Sequence, residues 1–285
     1  MKLKTLLMLM LLLPLSSLAQ KEAYAVFKDS TLTFYYNDKK PEGAYEVEKR
    51  ETIKGYYQKL WHTSKEKIST VIFDKSFKEY KPSSCYNWFN GCSNLKHIIG
   101  MKEYLDTKEV RDMAGMFEDC SNLRKLDVSG FNTQNVEYMM AMFRFCTNLT
   151  NLDLSGFNTQ NVVSMFYMFH SCSNLTSVNL NGFNIENVST MSGMFSQCSN
   201  IKSIYVGDEW NTSSVTDSKY MFSECHNLVG GKGTKCGDQA VYIEESTNES
   251  SGGQELKSDG SDLDATFAHI DGGESNPGYF TKKTK

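Results

Sequence analysis

The chain has 285 residues, with 30 Lys and Arg against 34 Asp and Glu and a formal net charge of −4. So mild an acidity excludes sequence-independent nucleic-acid binding, which needs a basic footprint to displace counterions from phosphate. Eight cysteines and fourteen methionines are the unusual part of the composition.

At the N-terminus, Lys2 and Lys4 precede an almost purely apolar run from Leu6 to Leu15, and Ser17-Leu18-Ala19 follows with small-x-small spacing. That run is too short to cross a bilayer as a helix, which takes about twenty residues. Residues 1–19 therefore predict a cleaved secretory signal, with a retained N-terminal anchor as the alternative. Removing Lys2 and Lys4 leaves 28 basic residues against 34 acidic, a net charge of −6. No cysteine precedes Cys85, which argues against a bacterial lipid anchor, and no later apolar run reaches membrane length. The expected location is the cell surface or the extracellular medium, with no transmembrane span.

Residues 20–91 predict an N-terminal cap. Tyr24 to Asp38 alternates like a hairpin, and Ser69 to Asp74 reads as a further strand. From there the chain repeats itself. Cys92, Cys120, Cys146, Cys172, Cys198 and Cys225 are separated by 28, 26, 26, 26 and 27 residues, and an aromatic stands three residues before each. The stretch "LDVSGFNTQNVEYMMAMFRFCTNL" from Leu126 is followed at Leu152 by "LDLSGFNTQNVVSMFYMFHSCSNL". Leu126 and Val128, two apart, fit a half-buried strand. Val136, Met139, Met142, Phe143 and Cys146 fall at offsets of three, six, seven and ten, which fit one face of a helix. Asn122 reads as a left-handed cap closing such a helix. The sequence thus predicts an α/β solenoid over 92–229: 26-residue strand-turn-helix units, a parallel sheet on one side and short helices on the other. The strand pattern is that of a short leucine-rich-repeat array. Residues 230–285 predict a C-terminal cap, with a mobile acidic loop near 244–264.

The repeated "SGFNTQNVxxMxxMFxxCxNL", the entry "VIFDKSFKEYKPSSCYNWFNGCSNL" and the ending "IDGGESNPGYFT" resemble the BspA-like leucine-rich-repeat surface proteins of gut and oral bacteria. The resemblance covers residues 20–285. It implies secretion or surface display, and adhesion to host matrix proteins, host cells or other bacteria.

Six of the eight cysteines (Cys92, Cys120, Cys146, Cys172, Cys198 and Cys225) share one phase of the repeat. They are expected to pack inward as a column of small hydrophobes, leaving only Cys85 and Cys236 out of register as candidates for a disulfide. Ten methionines fall on the predicted helices, where core packing is favoured over copper binding. "SDGSDLD" (258–264) lacks a full calcium-loop spacing, and the five histidines share no motif with a nucleophile. His170 is expected to be exposed. Neither a metal, a cofactor nor catalysis is therefore expected. The residues that change between copies while their inward neighbours stay apolar form the candidate binding row, expected on the concave sheet. They are His97, Lys125, Asp127, Asn151, Asp153, Ser177, Asn179, Ser203 and Tyr205. Amides, charges and a single aromatic suit a protein or a glycan, and the want of further stacking aromatics favours a protein. The resemblance implies a host matrix or cell-surface protein, with a glycan-binding or scaffolding component of the bacterial surface as the alternative. Asp127 and Asp153, on adjacent units, either hold a cation or basic group between them or simply cap the Ser-Gly turns that follow.

Overall fold

The computed structural model describes residues 20–53, 56–233, 235–236 and 280–282. The predicted signal segment and the acidic stretch 244–264 lie outside the described residues.

The N-terminal part is a mixed sheet. Strands β1 (Glu22–Lys28) and β2 (Thr31–Asn37) form an antiparallel hairpin, closed by Asp29 and Ser30 at φ 48° and 61°. Two left-handed residues in a two-residue loop make the turn whose twist matches that of the strands. Strand β3 (Tyr45–Glu46) pairs with β1, while β4 (Arg50–Ile53) and β5 (Tyr56–Lys59) form a separate hairpin. On the other side of β2, strands β6 (Thr70–Phe73) and β7 (His97–Ile99) add in parallel. Phe34 anchors this module, its ring stacked on Phe73 at 4.9 Å and on Trp88 at 5.4 Å. Trp61 meets Phe34 edge-on at 5.3 Å, and its indole N–H donates to the Trp88 carbonyl at 2.7 Å. The cap is thereby fixed to the first repeat.

From Ser84 the chain winds in stacked rungs, and here the predicted α/β class is overturned. The segments expected to be helices are runs of tight turns. Met142 donates to Met139, Arg144 to Ala141 and Cys146 to Phe143, each across one turn. The N–H groups in between go elsewhere: Ala141, Phe143 and Phe145 donate to Phe166, Met168 and His170 of the next rung at 2.8–2.9 Å. Two positions per rung lie in the left-handed region, four residues apart. They are Asn87 and Gly91, Gly115 and Asp119, Ala141 and Phe145, Tyr167 and Ser171, Gly193 and Gln197, Tyr220 and Glu224. A left-handed third residue is that of a type II turn, as in the turns closed by Met142 and Cys146, and it forbids an α-helix. Placing an ordinary residue there costs about 1–2 kcal/mol. The return is that half the N–H groups join neighbouring rungs, where a helix would have kept them all within its own unit.

Each repeated residue type has a place in this stack. Phe89, Phe117, Phe143, Phe169, Phe195 and Phe222 form one aromatic ladder with centroids 5.2–6.0 Å apart. Phe131, Phe157, Phe183 and Trp210 form a second at 6.3–6.5 Å. Threonines clip neighbouring rungs reciprocally: Thr133 Oγ1 donates to the Asn158 carbonyl at 2.9 Å and accepts from the Asn158 N–H at 2.8 Å. Asn122 is not a helix cap; its side-chain amide donates to the Ser93 carbonyl of the preceding rung at 2.8 Å, as Asn148 does to Ser121.

The cysteines behave as a column, and more fully than their spacing suggests. All eight are buried, and none is in a disulfide. The thiols of Cys120, Cys146, Cys172, Cys198 and Cys225 each point at a phenylalanine carbonyl one rung back, at 3.0–3.2 Å. Cys236, expected out of register, ends the same column, its sulfur 3.9 Å from the Phe222 carbonyl. Burial raises the thiols of Cys120, Cys146, Cys172, Cys198 and Cys225, and that of Cys92 to about 12, so these six resist ionisation and with it oxidation.

Candidate binding surface

The predicted row lies along the outward side of the strands, but not on one continuous sheet. His97 is on β7, Asn151 and Asp153 on β8 (Asn151–Asp153), Ser177 and Asn179 on β9 (Ser177–Leu180), and Ser203 and Tyr205 on β10 (Ser203–Val206). Strands β8, β9 and β10 pair in parallel, and β11 (Phe280–Lys282) joins beyond β10. Lys125 and Asp127 lie on the rung between β7 and β8, which pairs with neither. The five-stranded sheet ends at β7 and the four-stranded one at β8. Residues 124–127 make no backbone hydrogen bond to another described residue's backbone. On the turn side the stack is unbroken, with parallel bridges running Ser84–Asp112–Tyr138–Ser164–Thr190–Asp217.

The break falls beside the longest rung. The first spacing, Cys92 to Cys120, is 28 residues where the next is 26. The longer rung carries a one-turn helix, α1 (Met101–Tyr104), directly after β7. Its Lys102 backbone presses on the following rung at Gly130, where an added Cβ would stand 2.6 Å from the Lys102 carbonyl oxygen. An open cleft of about 590 Å³ is bordered by β7, residues 124–127 and Thr150-Asn151.

Beyond the break the row is locked together. The Asn151 amide oxygen accepts from Thr176 Oγ1 at 3.0 Å and Ser177 Oγ at 2.9 Å. Asn179 Nδ2 donates to Asp153 at 2.8 Å, which brings that amide to 7% exposure. Asp153 and Asp127 also accept from the N–H two residues on, at Ser155 and Ser129. Both aspartates therefore cap the turns that follow them, the plainer of the two alternatives. Hydrogen bonds from Ser129 and the nearby Lys102 hold the Asp127 carboxyl below its ordinary range.

The turn side carries a cluster that the sequence did not single out. The Arg144 guanidinium lies over the rings of Phe145, at 4.5 Å, and Tyr167, at 5.2 Å, and pairs with Glu118 at 3.2 Å. His170, expected to be exposed, is half-buried between the same two rings. Tyr167 covers Gly193, where any Cβ would run into its ring. Burial raises the Glu118 carboxyl against the pull of Arg144 and lowers His170. Tyr138, Met140 and Val163 stand exposed on this side. Only chain distance hides the cluster, since Glu118, Arg144 and His170 share one repeat position. Among the described residues no three His, Cys, Asp or Glu side chains converge on a point that could hold a metal ion, and no helix is long and apolar enough to cross a membrane.

Residues 83–207 and, overlapping them, 111–232 match the family described as "Mycoplasma protein of unknown function, DUF285", so together the matches span more than half of the 285 residues. Neither the curated proteins nor the solved structures give a match.

Proposed function

The chain belongs to the DUF285 family, and from its geometry we propose that it is an exported binding protein, an adhesin working by surface complementarity and without chemistry. The observation that carries this is the locked row. Asn151, Asp153, Ser177 and Asn179 are cross-linked between strands before any partner arrives. A partner binding there loses little affinity to ordering side chains. Tyr205, half-buried on β10, supplies the aromatic anchor such surfaces favour. The resemblance to BspA-like proteins and the signal-like N-terminus support a role outside the cell, with host matrix or cell-surface proteins as partners.

The test is binding of the purified protein to immobilised matrix proteins and to intact epithelial cells. The variant Lys125→Ala/Asn151→Ala/Tyr205→Ala runs beside it, with thermal melts to confirm folding. Saturable binding that weakens at least tenfold in the folded variant is the expected result. Binding that the variant retains moves the site to the aromatic cluster on the turn side. Failure to bind any of these surfaces overturns the adhesin assignment.

A further inference from the structure

Five large hydrophobic side chains stand exposed among the described residues, and four of them, Tyr138, Met140, Val163 and Tyr220, lie on the turn side. Tyr138 and Met140 share one rung. Val163 and the half-buried Phe166 stand on the next, either side of the residue bridged to Tyr138. Single exposed hydrophobes are ordinary, but a contiguous group that includes Tyr, Phe and Met has the composition of a protein contact face.

The charges beside that group say what can cover it. Two ion pairs join the rungs of Asp112 and Tyr138, and they run in opposite senses. Arg111 of the first rung pairs with Glu137 of the second at 2.7 Å, whereas Glu118 of the first pairs with Arg144 of the second at 3.2 Å. The Arg111 side chain is 70% exposed and that of Glu137 36%, so both also face outward. Two charges of each sign suit neither a uniformly acidic partner nor a uniformly basic one. A copy of the same face, turned end for end about an axis between these two rungs, answers all four. Arg111 then meets the second copy's Glu137, and Glu118 meets its Arg144. The same turn sets Met140 against the small Ala114 and Gly115, and Phe166 against the half-buried Tyr86. Complementary charge and apolar contact are what fix the register of an interface.

We propose that the turn side is the interface of a homodimer, in which two copies of this chain pack back to back and antiparallel about a twofold axis between the rungs of Asp112 and Tyr138. Such an interface is isologous, so each of these contacts occurs twice. The strands and their outward row lie on the other side of the stack and stay uncovered in both copies. The dimer therefore presents two such rows facing away from each other, and two sites on one particle hold a surface more tightly than either alone. The inference goes beyond the binding-protein reading above and does not depend on it.

The experiment is sedimentation equilibrium of the purified protein at tens of micromolar, beside the variants Arg111→Glu and Glu137→Arg. Thermal melts check that both fold as the parent does. The expected result is a dimeric parent and at least tenfold weaker self-association of each variant, because each turn about the axis now sets like charges together. An equimolar mixture of the two variants should dimerise again, since each introduced charge meets one of opposite sign across the antiparallel interface. A variant that had merely lost its fold would not be rescued in this way. A parent that stays monomeric overturns the proposal outright. Variants that dimerise like the parent remove the interface from the turn side. A mixture that stays monomeric while the parent dimerises overturns the antiparallel pairing.

Discussion

His170 sits between the rings of Phe145 and Tyr167, with the Arg144 guanidinium on those same rings and Glu118 beyond it. Burial, and to a lesser degree Arg144, lower its proton affinity from the ordinary 6.5. The unfolded chain therefore takes up a proton near pH 6.5 that the folded chain refuses. Folding stability is complete above that pH and declines as the pH falls below it toward the depressed folded value. His62 is lowered in the same direction by its own burial, so the comparison must be with the parent protein. The fall in Tm between pH 7.5 and 5.5 should be smaller in His170→Gln than in the parent. An identical fall in both would show that His170 is as easily protonated folded as unfolded.

At the scale of the repeated element, the threonine clips test how rungs hold each other. Thr133→Val keeps the shape but removes a hydroxyl that both donates to and accepts from Asn158. With the Asn158 backbone groups left short of partners, the loss should be about 1–3 kcal/mol, measured by urea unfolding. The chain supplies its own comparison, since Ile185 stands where Thr159 does one rung earlier and can make no such clip. Much of this element was legible. The inward column of Met, Phe and Cys is where the spacing puts it, because a residue that fits between two copies of itself recurs at the rung length. The helix was misread because offsets of three, six, seven and ten also arise when successive four-residue turns bring the chain back inside. The correcting signal was present at Asn87, Gly115, Asp119 and Gly193, residue types suited to left-handed backbone. Asn122 was misjudged for a related reason: its partner lies a full rung away, at a distance no local pattern reports. The outward row was equally legible as a row. Its interruption was not, although the 28-residue spacing stood in view, because a count of two extra residues does not say that they form a turn of helix under Gly130.

Across the whole molecule the two aromatic ladders end on one side chain. Phe280 meets Trp210 edge-on at 5.0 Å and Phe222 at 5.8 Å, while its strand β11 pairs with β10. It is fully buried and closes the end of a stack whose terminal rung would otherwise show an apolar face to water. Phe280→Ala should cost about 3–5 kcal/mol by chemical denaturation, with hydrogen exchange rising first in β10 and the rung of Trp210. A loss shared evenly along the stack would show instead that the rungs unfold as one.

The reciprocity of the rung contacts has a consequence for how such a chain can change by descent. In the two most alike copies, beginning at Leu126 and Leu152, what one unit offers upward is what the other accepts from below, whether the partner is a ring, a hydroxyl, an amide or a thiol. Tandem duplication of the DNA for one such copy would bring its contacts with it, and the outer surface would gain a row of side chains exempt from packing. The one-turn helix α1 is different, for among the described residues it occurs once and belongs to the rung beside the cap. A lineage can therefore lengthen the array and diversify its outer rows while the cleft stays fixed beside the N-terminal module.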